Sequence, residues 1–383
     1  MSRRAATASV LALLMATGWA ANHVSALFPL YVETRGLSTM AIDSAFGVYA
    51  LGLLPGLLAG GSVSDRIGRP RIVLPGACLA VLGTVVLALD AGALSLVAGR
   101  FVVGLGAGLT FAAGTAWATD LAARTGAVLA GVFLSAGFAV GPLVSGALGR
   151  WAPGPLLVPF VLSVVLSVAA ILAATRWAIP SSERPDRTGA PPLTGPHQSV
   201  GLAASWALPV GALVFASVSV PLITVPTRLE GDVGGPLLVG VGSILSLGFG
   251  SAIQQVARVR GWGPRTGVVG AAASLLGFLL LAAAGEGVGL PIFVLTCLLL
   301  GTAYGLCLRE GLLDVQALCP PGRRGALTGV FYVTTYLGFA LPLLLTVLEP
   351  ALGVRVPLLV VAAAAATVGL SRASRLSRGH PAR

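Results

Sequence analysis

Lysine is absent from this 383-residue chain, histidine occurs three times, and charged residues of every kind make up 10%. A water-soluble domain carries roughly 25% charged residues, so the shortage of charge excludes one. The histidines, His23, His197 and His380, stand far apart, and the four cysteines form no C-x-x-C pair. No HExxH-like spacing or clustered nucleophile and base is present, which excludes the usual intramembrane enzyme and metal sites; no cofactor and no metal are expected. Acidic residues are also missing from the middles of the apolar runs. Asp43, Glu310 and Asp314 read as lying at or just beyond run edges.

What is present is apolar length. Hydrophobic residues make up 56% of the chain, the mean hydropathy is +0.94, and runs recur near the ~20 residues that cross a bilayer core. Twelve spans are expected, near 7–31, 39–61, 71–89, 93–118, 126–148, 156–176, 203–227, 236–256, 267–285, 290–311, 325–347 and 355–371. The opening "MSRRAATASVLALLMATGWAA" has the charged start of a signal peptide, but its apolar run continues to about Tyr31, too long for one. The net charge of +11 would suggest nucleic acid in a soluble chain. Here the arginines are scattered among short loops, so the expected partner is the lipid bilayer and not nucleic acid.

The longest polar interruption, "AIPSSERPDRTGAPPLTGPHQSV" at 178–200, reads as a linker. It divides an N-terminal six-helix bundle, 1–177, from a C-terminal one, 201–383. Arginine is retained on the cytoplasmic side, and a cytoplasmic N-terminus leaves only Arg35, Arg100, Arg150, Arg228 and Arg355 outside or in the membrane. Both termini and the linker are therefore expected in the cytoplasm. The halves also echo each other: "RIGRPR" at 66–71 against "RGWGPR" at 260–265, 194 residues on, and "GFAVGP" at 137–142 against "GFALP" at 338–342.

Between spans 2 and 3, Gly61, Asp65, Arg66, Gly68 and Arg69 match the G-x-x-x-D-R-x-G-R signature of the major facilitator superfamily, and with two six-span halves the whole chain resembles that family. The resemblance implies twelve transmembrane helices in two pseudo-symmetric bundles and a secondary transporter of the cell membrane. It implies a conformational latch as well, in which Arg69 pairs with Asp120 at the end of span 4. Asp65 would face the positive N-terminal end of the span 11 helix. In span 4, Arg100 followed by Gly104, Gly106 and Gly108 is similar to the family's span-4 signature. In span 5, Gly137, Gly141, Pro142 and Gly146 resemble the signature of the drug:proton antiporter branch. Small residues four apart allow close helix approach, and Pro142 frees a backbone carbonyl.

A proton-driven exporter needs a group that loads and releases a proton. With no central acid, His23 in span 1 is the candidate, beside Asn22, with a reference pKa of about 6.5, and Arg100 is expected to act on it electrostatically. Asn22, Tyr304, Tyr332 and Tyr336 are candidates for lining a substrate cavity. An arginine without a central acid suits neutral or anionic cargo. The expected function is proton-coupled export of a small organic molecule, drug or metabolite, by a monomer. The alternative is a symporter importing a small nutrient, and more remotely a membrane sensor or intramembrane enzyme.

Overall fold

The computed structural model describes residues 3–89, 92–179, 198–229, 235–320 and 323–379. Most of the expected linker lies outside the described residues, as do His197 and His380. Among the described residues the regular structure is helical, with one isolated bridge between Leu229 and Val288. Twelve helices are long and apolar enough to cross a membrane: Arg3–Arg35, Thr39–Ile67, Pro70–Leu89, Ala93–Ala122, Thr125–Trp151, Val158–Trp177, Val200–Thr224, Pro236–Val259, Thr266–Ala284, Leu290–Leu318, Arg324–Leu352 and Arg355–Ser377, here spans 1 to 12. Each corresponds to one expected run. Leu82, Leu172, Leu276 and Val360 are each more than half exposed, as helices facing lipid require.

Two compact units are formed. The first comprises Met1–Arg187 with Gly235–Ser243, the second Thr188–Gly234 with Ile244–Arg383. The first part of span 8 thus packs with the first six spans. In the first unit, Val10, Leu14, Val73, Trp117 and Ala174 meet in a buried cluster. Spans 2 and 4 close on small residues: a side chain at Gly52 would strike the Phe101 carbonyl, and one at Gly108 the Leu53 carbonyl. Gly106 faces Gly76 of span 3 instead. Apolar lipid gives little hydrophobic drive for helix association, so such close backbone approach supplies the contact.

Spans 4 and 5 are one unbroken helical run, Ala93–Trp151. In a straight helix, residues eight apart are separated by about 12 Å, yet a Cβ on Gly126 would collide with the Ala118 carbonyl. The run therefore folds back on itself between the two spans. In the second unit, Trp206, Val315, Leu327 and Phe331 form the core.

Among the described residues, three spans are interrupted within their length and span 7 changes its winding at its end. Span 1 tightens to a 3-10 turn at His23–Leu27 and span 11 at Gly338–Ala340. Spans 7 and 8 widen to π turns at Val220–Thr224 and Ile244–Gly248. Such turns inside helices accompany functional sites, and the one in span 7 contains Pro221, which has no N–H to continue the ladder.

Candidate functional site

The turn between spans 2 and 3 is built as the motif requires. Gly68 ends span 2 at φ 102°, a conformation that excludes most side chains. This brings Arg69 back over the helix end, where its Nη1 lies 2.6 Å from Asp65 Oδ1 and donates to Ser64 Oγ at 2.7 Å. Its Nε donates to Asp120 Oδ2 at 2.9 Å, and Nη1 also reaches the Gly61 carbonyl. One guanidinium thereby ties the end of span 2 to the end of span 4. Arg66 is exposed beside it.

In span 5, Gly137, Gly141 and Gly146 are contact points. Side chains at Gly137 and Gly141 would press on the backbone of span 1 at Met15 and Trp19, and one at Gly146 on the Pro236 carbonyl of span 8. Pro142 has no N–H to offer the carbonyl four residues earlier, that of Phe138. Asn22 Nδ2 donates to that carbonyl across the helix interface at 2.8 Å, and Ser25 Oγ donates to Asn22 Oδ1 at 3.0 Å. Asn22 is thus a staple on the span 5 bend, 4% exposed, and is engaged with protein. The second unit repeats the device. Pro342 withholds a donor from the Gly338 carbonyl, which accepts the Leu341 N–H in the 3-10 turn and the Ser219 hydroxyl of span 7 at 3.0 Å. Ser219 escapes a reading by residue chemistry, but the "GFALP" echo marks its partner.

Arg100 is 1% exposed and is likewise engaged. It donates from Nη1 to the Ala21 carbonyl at 2.6 Å and from Nε to the Ala45 carbonyl at 3.4 Å, with its guanidinium 4.3 Å from the Tyr49 ring centre. Spans 1, 2 and 4 are pinned by this one residue, just before the 3-10 turn of span 1. His23 Nδ1 lies 3.2 Å from both the Trp19 and Ala20 carbonyls. Carbonyls only accept, so Nδ1 carries the hydrogen. The other ring nitrogen, Nε2, has no hydrogen-bond partner among the described residues, and the ring stands edge-on to Phe160 at 5.2 Å.

Tyr304 and Tyr336 are brought together around Phe215. Its ring stacks on Tyr336 and Phe339 at 4.6 Å each and lies 5.9 Å from Tyr304. Tyr332 is not part of this stack; its ring packs at an angle against Phe331 instead.

The reading of Glu310 and Asp314 as run-edge acids needs correction. Span 10 continues to Leu318 and span 12 to Ser377, and both carboxylates are fully buried. Arg372 Nη1 donates to Asp314 Oδ2 at 2.7 Å and Nη2 to Glu310 Oε2 at 3.2 Å, while Arg309 Nη1 lies 2.6 Å from Glu310 Oε1. Arg309 also donates to the Trp262 carbonyl, and Arg372 to those of Pro264 and Trp206. Mutual neutralisation lets these charges sit inside apolar helices, whereas the expected runs stop at 311, among the charges, and at 371, just before Arg372. Asp314 follows Asp120 by 194 residues, the offset of the repeated arginine turns.

The architecture matches solved transporters along nearly its full length. A POT family transporter in complex with 5-aminolevulinic acid superposes with a TM-score of 0.78 at 14% identity, covering 96% of this chain and 95% of that one. The peptide transporter POT in complex with sulfate gives 0.79 at 16%, covering 97% and 94%. Identity this low speaks for the fold alone. Multidrug resistance protein MdtL of Escherichia coli O139:H28 (strain E24377A / ETEC) is 35% identical over 83 residues, 22% of this chain and 21% of that protein. MdtL of Shigella boydii serotype 18 (strain CDC 3083-94 / BS512) matches to the same extent, so the chain spans about a fifth of the length of these curated relatives. The family match itself runs over residues 8–342. With twelve membrane-crossing helices and the Asp65–Arg69–Asp120 turn in place, the chain belongs to the Major Facilitator Superfamily and is a multi-pass membrane transporter.

Proposed function

We propose that the protein exports a small organic molecule, drug or metabolite, across the cell membrane by alternating access, in exchange for protons, with both termini in the cytoplasm. The observation that carries this reading is the span 5 stripe. Gly137, Gly141 and Gly146 are each in contact with a neighbouring helix, and the Pro142 bend is stapled by Asn22. These are the residues that resemble the antiporter signature, and the partial likeness to a multidrug resistance protein agrees with them. His23 is the proton carrier in this reading, with Arg100 the charged group beside it. Arg69, held by Asp65 and Asp120, is the latch that biases the conformational equilibrium. The Phe215–Tyr304–Tyr336 stack offers aromatic surface to cargo.

Expression in an efflux-deficient bacterium tests the direction. Accumulation of fluorescent dyes or antibiotics should fall, and a protonophore should restore it. Increased uptake of a nutrient such as a dipeptide, with no protection against any compound, would favour the symporter reading. In proteoliposomes with an imposed pH gradient, His23→Gln should abolish gradient-driven cargo accumulation.

A further inference from the structure

We propose that Trp19, His23, Ser145 and Ser163 bound a water-binding pocket within the first unit, through which a hydrated proton reaches His23 Nε2. The proposal rests on His23 as proton carrier and gives the proton its route.

The four side chains are 6%, 0%, 0% and 0% exposed. Trp19 Nε1, His23 Nε2, Ser145 Oγ and Ser163 Oγ each have no hydrogen-bond partner among the described residues. Buried polar atoms in folded proteins find partners in protein or in ordered water. Several such atoms at one depth therefore need a common explanation.

Helix contacts put them at that depth. Gly141 faces Trp19 and Gly149 faces Leu27, so spans 1 and 5 run side by side in parallel, and Ser145 falls opposite His23. Trp19 and His23 are four residues apart and share a face of span 1. On span 6 the His23 ring meets Phe160. Ser163 lies one turn further along that helix, which runs antiparallel to span 1, at the depth between His23 and Trp19.

The chemistry of the four groups suits water. The Trp19 indole only donates, Nε2 of the neutral ring only accepts because Nδ1 holds the hydrogen, and the two hydroxyls do either. A water needs two to four polar partners, and this set supplies both kinds. It contains no charge to hold an ion. Arg100, the charged group from span 4, is turned to the Ala21 and Ala45 carbonyls and the Tyr49 ring. Tyr31 follows eight residues on in span 1, and span 2 brings the buried Tyr49 and Asp43 near the Arg100 end of this region. Span 6 has its one charged residue, Arg176, at its far end, and Pro236–Ser243 has none.

The step itself is a proton transfer. An O–H bond of the hydrated proton breaks, the lone pair on Nε2 takes the proton, and water is left. Nδ1–H keeps the Trp19 and Ala20 carbonyls throughout, so the ring need not turn, and release reverses the step at the same nitrogen.

The test uses the full chain with 15N-labelled histidine in lipid nanodiscs, the His23 signals assigned by their loss in His23→Gln. Nuclear magnetic resonance should show polarisation transfer from water to His23 Nε2, and Ser145→Val and Ser163→Val should weaken it and shift the line. In proteoliposomes loaded with a pH-sensitive dye, each valine variant should slow gradient-driven proton uptake at least tenfold. Ser163→Thr, which keeps the hydroxyl, should restore it. Absence of water-to-Nε2 transfer in the wild type overturns the pocket whether or not any variant folds. A hydrated Nε2 together with full coupling in His23→Gln overturns the route, and that failure belongs to the carrier assignment.

Discussion

Asn22→Ala should destabilise the protein more while Pro142 is present than after Pro142 is replaced. In the wild type, Asn22 Nδ2 serves the Phe138 carbonyl at 2.8 Å, and the proline ring denies that carbonyl its usual intrahelical donor. Leaving a buried acceptor without a partner costs about 1–3 kcal/mol. Measured interhelical bonds in membranes average about 0.6 and reach about 1.7 kcal/mol, because the unfolded helices find other partners. A loss of about 1–2 kcal/mol is therefore expected. In a Pro142→Ala background the new residue 142 N–H reaches Phe138, and the same Asn22→Ala change should lose that component. The Ser25-to-Asn22 bond and the space vacated by the side chain are common to both backgrounds and cancel in the cycle. The coupling should then be about 1 kcal/mol, roughly a fivefold ratio in the unfolding constants. Reversible unfolding in mixed micelles, followed by tryptophan fluorescence, measures all four corners. Equal losses in the two backgrounds would refute the staple.

Asp120→Asn should leave folding nearly intact, since partly exposed ion pairs contribute at most about 1 kcal/mol, yet should change the rate of conformational exchange; unaltered transport kinetics would remove the latch. Glu310→Gln should destabilise the second unit by about 3–5 kcal/mol, because it breaks a buried network and leaves Arg309 and Arg372 with less opposing charge. Thermal unfolding checks this, and a shift indistinguishable from that of a surface variant would contradict it. For topology, Arg35→Cys should react with an impermeant maleimide on intact cells and Arg66→Cys only after permeabilisation, in a background without the native cysteines. The reverse pattern would invert the orientation.

The spans were legible because hydropathy reports burial in lipid directly. The motif turn was legible too, since Gly68, Asp65, Arg69 and Asp120 are read by type and spacing. What stayed hidden has one cause. Glu310 and Asp314 read as edge residues because a hydropathy scale counts each charge as a cost, whereas the folded chain cancels their charges against Arg372 across spans 10 and 12. Asn22 and Arg100 are read as cargo or coupling candidates because a polar side chain in an apolar helix suggests function; their residue types do not reveal the contacts they make. Their partners are main-chain carbonyls, which look the same at every position of a sequence. The aromatic roles of Phe215 and Phe339 have no mark in the sequence; three helices place them beside Tyr304 and Tyr336.

Proline supplies the rule that would have found some of those partners. A proline inside a helix frees the carbonyl four residues earlier, and in an apolar environment that carbonyl is served by another helix, a polar side chain, ordered water or a local tightening of the turn. Pro142 designates Phe138, which Asn22 serves, and Pro342 designates Gly338, which Ser219 serves alongside the 3-10 turn. Pro209 of span 7 designates Ser205, whose carbonyl accepts from Arg375 Nη1 of span 12 at 3.0 Å. Three intramembrane prolines are thus answered by three polar side chains from other spans. Counting such obligations first removes Asn22, Ser219 and Arg375 from the pool of residues that need a transport role to explain them. Arg100 leaves the pool on the same principle, since it serves the Ala21 carbonyl where span 1 tightens to a 3-10 turn. His23 does not leave it: its Nδ1 is bound to its own helix, but nothing in the backbone asks for Nε2, and that atom is therefore where a search for the coupled proton begins.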